Sequence, residues 1–339
     1  MRSWLPLEML TLRRGRVTAV VERVEGLSRL EVDGVPCVAY PRVTGPVALG
    51  DEVIVNAQAR ELELGTGGFD VLYANLTRGL DLPPEGDAHV MKLPYTPAQS
   101  ARRHAEEERI LPDTLAGLPV VCCSLHSQVV PVCAGIGQDA RVAYVQLAGG
   151  ALPVSLSDAL RALRERGHVE TTIAVGACLD GDVECVSAAS ALLWSAAEGF
   201  DVVVCAIGPG IVGTGSTFGH GGLAAADAAN AAQALHGTPI LAVRASEGDP
   251  RERHQGVSHH TSAVLELCLG DVIAPWPAGY DAPPWLESRL EVDVSGWEEA
   301  CAGLPLAHMG RGPEEDSLFF AAAFAAGRVA ACRAERLDS

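Results

Sequence analysis

From Leu118 onward, short apolar runs alternate with segments of helical periodicity, and this rhythm constrains the fold more than any other feature of the chain. Strands are expected at 119–123, 141–146, 171–175, 201–207, 239–243 and 271–274. Helices are expected at 155–166, 183–197, 223–235 and 258–269, with a further strand at 290–294 and a closing helix over 316–334. Such alternation builds βαβ units around a mostly parallel sheet. Right-handed crossovers bring the carboxyl ends of parallel strands to one edge, so the segments that follow the six strands should share one rim.

The chain ahead of this region has a different texture. Residues 16–24, 29–32, 35–40 and 52–56 read as short strands, and Asp33-Gly34 is a two-residue hairpin signal. The fold class is therefore α/β: a small N-terminal β-barrel-like domain, of SH3-like or oligonucleotide-fold kind, followed by a mostly parallel α/β sandwich. Boundaries are placed at 1–76 for the barrel, 77–117 for a connector and 118–339 for the α/β domain. The Gly65-Thr66-Gly67-Gly68 loop is flexible enough to approach a ligand, and the connector holds Pro83-Pro84, Pro94, Pro97 and Pro112 around a helix-like run at 97–109.

At 339 residues and 48% apolar content the chain can bury a sizeable core, while a net charge of −18 leaves no basic face for nucleic acid or an anionic membrane surface. No secretory signal pattern and no apolar run of bilayer-spanning length are found, so a cytoplasmic protein is expected. The ten cysteines include the adjacent Cys122 and Cys123 but no C-x-x-C pair, which reads as small buried hydrophobes and not as a disulfide frame or thiolate zinc site. Of the 25 basic residues only Lys92 is a lysine, which suggests that an ammonium is specifically needed there, persistence by chance being the plainer account.

The polar groups gather after the strands. Ser124, His126 and Ser127 follow the first, and Asp182 and Glu184 come after the third. The fourth leads into Gly208-Pro209-Gly210-Ile211-Val212-Gly213-Thr214-Gly215, and the fifth into Arg244 and the cation-rich run 249–261. The glycine run satisfies G-x-G-x-x-G, yet Pro209 removes a backbone donor and the helix begins only near Leu223. An NADP-dependent oxidoreductase, with Arg244 on a ribose phosphate, is accordingly the weaker reading beside a loop that cradles an anion or a purely structural loop.

In 249–261, Arg251 and Arg253 can offer planar forks to phosphate or carboxylate, and Ser258 is placed to cap a helix. Surface ion pairs through Asp249 and Glu252 are the plain alternative. His259 and His260 should point about 100° apart on a helix, so one at most is expected to face a ligand. Metal ligands could come from His126, Asp180, Asp182, Glu184, His220, His254 and His259, but without H-E-x-x-H or facial-triad spacing no metal is expected. Ser124 or Ser127 with a rim histidine could act as a nucleophile, although G-x-S-x-G is absent.

The chain resembles an uncharacterised bacterial family, domain of unknown function 3866. The resemblance rests on Leu64-Gly65-Thr66-Gly67-Gly68, on Met91-Lys92-Leu93 with Tyr95-Thr96-Pro97, and on Ser124-Leu125-His126-Ser127. It rests most specifically on 208–215 and on Asp249-Pro250-Arg251-x-Arg253-His254-x-Gly256-x-Ser258-His259-His260-Thr261. Pro94 stands where the family tends to have arginine, and Gly176-Ala177-Cys178 where it tends to have Gly-His-Ala. The resemblance implies a shared fold and pocket, and no reaction.

The expected function is hydrolysis or group transfer on a small anionic metabolite, phosphorylated or carboxylated, with His126 or His254 moving protons beside the Asp182 and Glu184 carboxylates. Lys92, Ser124, Ser127, Gly208, Gly210, Gly213, Thr214, Arg251, Arg253, Ser258 and His259 would hold the ligand. A non-enzymatic ligand-binding or scaffold protein is the alternative. The sequence names no cofactor, and homo-oligomerisation is left open.

Overall fold

The computed structural model describes residues 10–63, 67–79, 82, 85–281 and 290–337; residues 64–66 of the glycine loop and Pro83-Pro84 lie outside them. Contacts divide the chain into two units, Met1–Asp87 with Thr96–Ala98, and Ala88–Tyr95 with Gln99–Ser339.

The first unit is a closed barrel of β1 (Leu12–Val24), β2 (Leu27–Val32), β3 (Val35–Ala39), β4 (Glu52–Asn56) and β5 (Asp70–Asn75), with α1 (Pro41–Thr44) and α2 (Gln58–Glu61) between strands. Closure follows from the long β1, which pairs with β2 through its second half and with β4 through its first. Two register shifts let it bend between these partners. Asp33 and Gly34 both have positive φ, as the tight turn between β2 and β3 requires. Val17, Leu30, Val32, Val53, Val55 and Leu72 fill the interior. Asp70 is fully buried against Arg13 and Arg60, each at 2.9 Å.

The second unit opens with β6 (Val90–Lys92), β7 (Ser100–Arg102) and α3 (Ala105–Glu108). The helix expected over 97–109 is thus reduced to one turn, because antiparallel pairing with β6 claims 100–102 and overrides local helical preference. Next come β8 (Pro119–Cys123), α4 (Val129–Ile136), β9 (Val142–Leu147), α5 (Asp158–Glu165), β10 (Thr171–Val175), β11 (Val183–Cys185), α6 (Ala188–Ala197), β12 (Val202–Ile207), α7 (Ala224–Ala234) and β13 (Thr238–Ala242). Short strands β14 (Ala245–Ser246) and β15 (Gly256–Val257) precede α8 (His259–Leu267), and β16 (Pro275–Pro277), β17 (Leu290–Val292), α9 (Trp297–Ala300) and α10 (Ser317–Ala334) complete the described chain.

Strands β8 to β13 form one sheet in the order β11-β10-β9-β12-β8-β13, parallel throughout. Helices cover both faces, which is why the strands read as near-continuous apolar runs. The sixth strand is not 271–274 as expected but β11, which the periodicity assigned to the start of a helix. Ile273 makes only an isolated bridge to Ile240, and the two prolines of β16 follow.

Helix α10 corrects another expectation. It is long and apolar enough by composition to cross a membrane, yet 72% of it lies buried inside the fold. Its small residues allow close packing on α4: a Cβ on Gly327 would fall 2.0 Å from the Val132 carbonyl, and one on Gly135 2.4 Å from that of Phe324. The connection after β8 leaves on the α4 and α10 face, whereas the one after β12 leaves on the face of α6 and α7. Oppositely directed connections from neighbouring strands open a crevice at their carboxyl ends, where ligands bind in sheets of this kind.

Candidate functional site

At the end of β13 the chain places a cation inside the protein. Arg244 is 1% exposed. Its backbone is clasped by the start of α8, with its N–H donating to Thr261 Oγ1 at 2.9 Å and its carbonyl accepting from Ser258 N at 2.9 Å. Nη1 donates to His260 Nδ1 at 2.7 Å. Nε and Nη2, the pair that forms the side-on fork of a guanidinium, are buried without a hydrogen-bond partner, the nearest carboxylate oxygen being Asp249 Oδ2 at 3.9 Å from Nη2. Burial first, and then Arg251, lower the Arg244 pKa to about 10, which leaves it charged at neutral pH.

The cation-rich run 249–261 has a different internal logic from the one expected. Arg251 turns its own fork onto Asp249, through Nε at 2.9 Å and Nη2 at 2.7 Å. Arg311 reaches the same carboxylate at 3.3 Å and Asp316 at 3.1 Å, while Asp316 also accepts from Ser246 Oγ and from the Glu247 and Gly248 backbone. Burial alone would raise the pKa of Asp249; the hydrogen bonds from Arg251 overcome it and hold the carboxyl well below its usual range. Arg251 is therefore a brace, its fork committed within the fold. Arg253 is exposed and has no hydrogen bond or ion pair among the described residues.

Four histidines crowd beside Arg244. His220 stacks on His260 with ring centroids 3.7 Å apart, His259 lies 4.5 Å from His260, and His254 lies 4.9 Å from His259. Both His259 and His260 thus face the cluster, contrary to the expectation for neighbours on a helix, because His220 enters from the β12–α7 connection and meets the rings at the first turn of α8. Ser258 caps that helix, accepting from His260 N at 3.2 Å, with His254 Nδ1 2.7 Å from its Oγ. Burial, followed by the arginine field, pushes His254 down to about 3 and His260 to about 2. These imidazoles are neutral.

Across the carboxyl end of β8, Ser127 Oγ lies 3.1 Å from His308 Nδ1, and His308 stacks on Phe319 with centroids 3.8 Å apart. Its Nε2 is buried without a partner, and burial, then Arg244, lowers its pKa to about 3. Ser124 is buried, with Oγ 3.4 Å from Gln128 Oε1; Gln128 also donates to the Ala242 carbonyl, tying the β8 turn to β13. Ser127 and Ser258 follow the carboxyl ends of the adjacent parallel strands β8 and β13 and so belong to the same edge of the sheet, with the charge of Arg244 felt at His308.

Other expected site residues serve elsewhere. His126 donates from Nδ1 to the Ile207 carbonyl at 3.2 Å and meets Ser157 Oγ at 2.6 Å through Nε2. Ser157 is the N-cap of α5, and burial pushes His126 down to about 4, so this ring is a neutral tie between elements. The glycines of 208–215 serve packing first: a Cβ on Gly208 would sit 2.0 Å from the Ala151 carbonyl and one on Gly213 3.0 Å from His220 Cβ, and Gly210 has φ 73°. Thr214 is exposed and bonded to Ser216 and Gly219 within its own loop. With α7 starting only at Ala224, this loop does not deliver a helix N-terminus to a dinucleotide.

Lys92, Asp182 and Glu184 lie at the opposite edge. Strand β10 is four positions from β13, roughly 19 Å at the usual strand spacing. Lys92 is 1% exposed, donating to the Ala174 and Gly176 carbonyls at 3.2 and 3.0 Å, with Glu184 at 2.7 Å. Asp182 accepts from Thr172 N and Oγ1 at 2.8 Å and pairs with Arg164 at 3.1 Å. The single shared rim expected of all six strands is thereby divided, and these carboxylates do not join the histidines. Conversely, His308, Arg311 and Asp316 lie outside every sequence motif, and His260 joins the cluster together with His259 although one of the two at most was expected to. His308 and Arg311 fall in a stretch with neither apolar periodicity nor motif, whereas Arg244, a cation directly after a buried strand, and His260, within 249–261, carried a local signal.

No curated protein matches the chain. A family pattern matches residues 36–327, most of the sequence and all of the cluster just described, and the chain belongs to that family, a protein of unknown function (DUF3866).

Proposed function

We propose that the carboxyl ends of β8 and β13 receive a small anion, a phosphate- or carboxylate-bearing metabolite, on Arg244. One observation carries the reading: a fully buried guanidinium presents an empty Nε and Nη2 fork, the geometry by which Arg251 grips Asp249. An unsatisfied buried charge is expensive, and a carboxylate or phosphate edge satisfies both donors at once. Neutral imidazoles at His260 and His308 can each add an N–H donor. Arg251 supports the receptor by occupying Asp249, which would otherwise compete for Arg244.

Turnover by hydrolysis or group transfer is supported by Ser127, a half-exposed hydroxyl already hydrogen-bonded to the neutral His308 ring. Reception without turnover is favoured by the distance of Asp182 and Glu184 from the cluster. Calorimetry with inorganic phosphate and with citrate, on parent and on Arg244→Lys, tests the first statement. A tenfold or greater loss in the variant is expected, since a point charge cannot reproduce the fork. Equal binding by parent and variant, or none by the folded parent, removes Arg244 from the role.

A further inference from the structure

His220, from the β12–α7 connection, converges with His259 and His260 at the start of α8, far away in the chain. Each offers a ring nitrogen, and these atoms lie within 4.8 Å of one another. His220 is 7% exposed, and although the Thr217 backbone approaches its ring, neither nitrogen is in good hydrogen-bond geometry; His259 Nε2 is buried and unpartnered as well. Imidazoles that merely pack ordinarily place at least one nitrogen on a carbonyl, hydroxyl or water. Three imidazoles whose nitrogens approach one another this closely can meet on a single ion.

We propose that these three histidines form a site for a divalent first-row transition ion, of which zinc is the reference case. Nitrogen-only ligation selects zinc, cobalt, nickel, copper or iron over magnesium and calcium, which take oxygen. Asp249, whose charge reaches His254, is already held by Arg251 and Arg311. Metal–nitrogen bonds of about 2.0–2.1 Å bring tetrahedral ligands to roughly 3.3 Å of each other, so the rings draw inward on loading. A fourth position remains open, as in catalytic three-histidine sites.

Loading has a consequence at Arg244. If His260 binds through Nδ1, the ion takes the lone pair that Arg244 Nη1 now uses; if it binds through Nε2, the ring proton moves to Nδ1 and meets a donor with a donor. Either way the 2.7 Å contact ends and Arg244 gains a third donor nitrogen without a partner. The arginines around the cluster disfavour an added cation, and an anion on Arg244 offsets them. This part rests on the anion reading: phosphate should strengthen metal binding, and metal should strengthen phosphate binding by the same factor.

The test uses the untagged full chain, stripped with chelator and titrated with zinc and with cobalt, with and without inorganic phosphate. One ion per chain is expected, with cobalt absorption bands typical of four or five coordination. Affinity should fall tenfold or more in His220→Gln and in the half-exposed His259→Gln, and stay unchanged in the surface variant His89→Gln. No stoichiometric ion under either condition, or the same affinity in both cluster variants, overturns the site. Stoichiometric zinc that ignores phosphate upholds the site and overturns the anion's place beside it; phosphate binding lost in Arg244→Lys without any metal supports the anion reading alone.

Discussion

Replacing Lys92 with methionine isolates the buried pair at the β10–β11 edge. Methionine keeps most of the stem's volume but offers no donor, so the Ala174 and Gly176 carbonyls lose a partner. At about 1–3 kcal/mol for each of the two buried carbonyls left unsatisfied, a loss of roughly 2–6 kcal/mol is expected in mild acid. The pH dependence is the sharper signature. Burial pushes Glu184 up to about 7 against the pull of Lys92, with Asp180 adding to the rise and Arg102 opposing it. A carboxyl raised from 4.5 contributes its stabilisation fully below that value and loses it as pH climbs to about 7, so the parent's stability falls across this window and then levels. Without Lys92 the folded-state value rises further, and the variant goes on losing about 1.4 kcal/mol per pH unit above 7, where the parent no longer does. Urea unfolding from about pH 6 to about pH 9 should show a gap between the two proteins that is constant up to neutrality and widens beyond it. A gap of the same size throughout would refute the pairing, as would one below about 0.5 kcal/mol. Lys92→Arg should also destabilise, because a wider fork does not fit a socket built from two carbonyls and a carboxylate.

Gly208→Ala should cost about 3 kcal/mol or more by thermal unfolding, since the added carbon meets the Ala151 carbonyl at 2.0 Å. Gly215→Ala, with nothing within 4 Å, should stay within about 0.5 kcal/mol of the parent; equal effects would contradict the packing account of this loop. Asp249→Asn removes the anion that braces Arg251 and Arg311 and should cost about 3 kcal/mol at neutral pH. Because Asp249 is held below 3.8, its contribution is present above that value and fades as pH falls through the lower folded one. Chemical unfolding of the two proteins should therefore converge only in strong acid, and convergence near pH 6 would contradict the pairing.

Periodicity located what depends on local pattern. Strands at 119–123 and 171–175 appear with the expected bounds, since an apolar run buried on both faces can form little else, and Asp33-Gly34 turns as its two positive φ values demand. It misplaced what depends on partners. Val183–Cys185 has no strand signal of its own and becomes β11 because β10 offers an open edge, while 271–274 looks like a strand and finds only one bridge. The candidate site divides in the same way. Arg244 is marked by its place after a buried strand, whereas His308 and Arg311 enter through tertiary packing against α10 and the 249–258 loop. Lys92 was singled out by rarity, which signals a specific need for an ammonium but not whether a ligand or the fold imposes it.

The dense run 249–261 illustrates why counting charges misassigns roles. Four charged groups, Asp249, Arg251, Arg311 and Asp316, satisfy one another in a buried chain of ion pairs. Together they hold the loop that clasps Arg244, so Arg251 acts as structure while Arg253 stays exposed. The buried guanidinium with empty donors, Arg244, lies outside the run, at the strand end. Its emptiness is maintained by the run, because Asp249 sits 3.9 Å from Nη2 with both oxygens already engaged. Freeing Asp249 from Arg251 would let it turn to Arg244 and close the fork. Arg251→Met should therefore weaken phosphate binding without Arg251 ever touching the anion. The loss should be recovered in Arg251→Met combined with Asp249→Asn, provided that double variant folds by circular dichroism. A double variant that folds yet binds as weakly as Arg251→Met would instead place Arg251 in direct contact with the ligand.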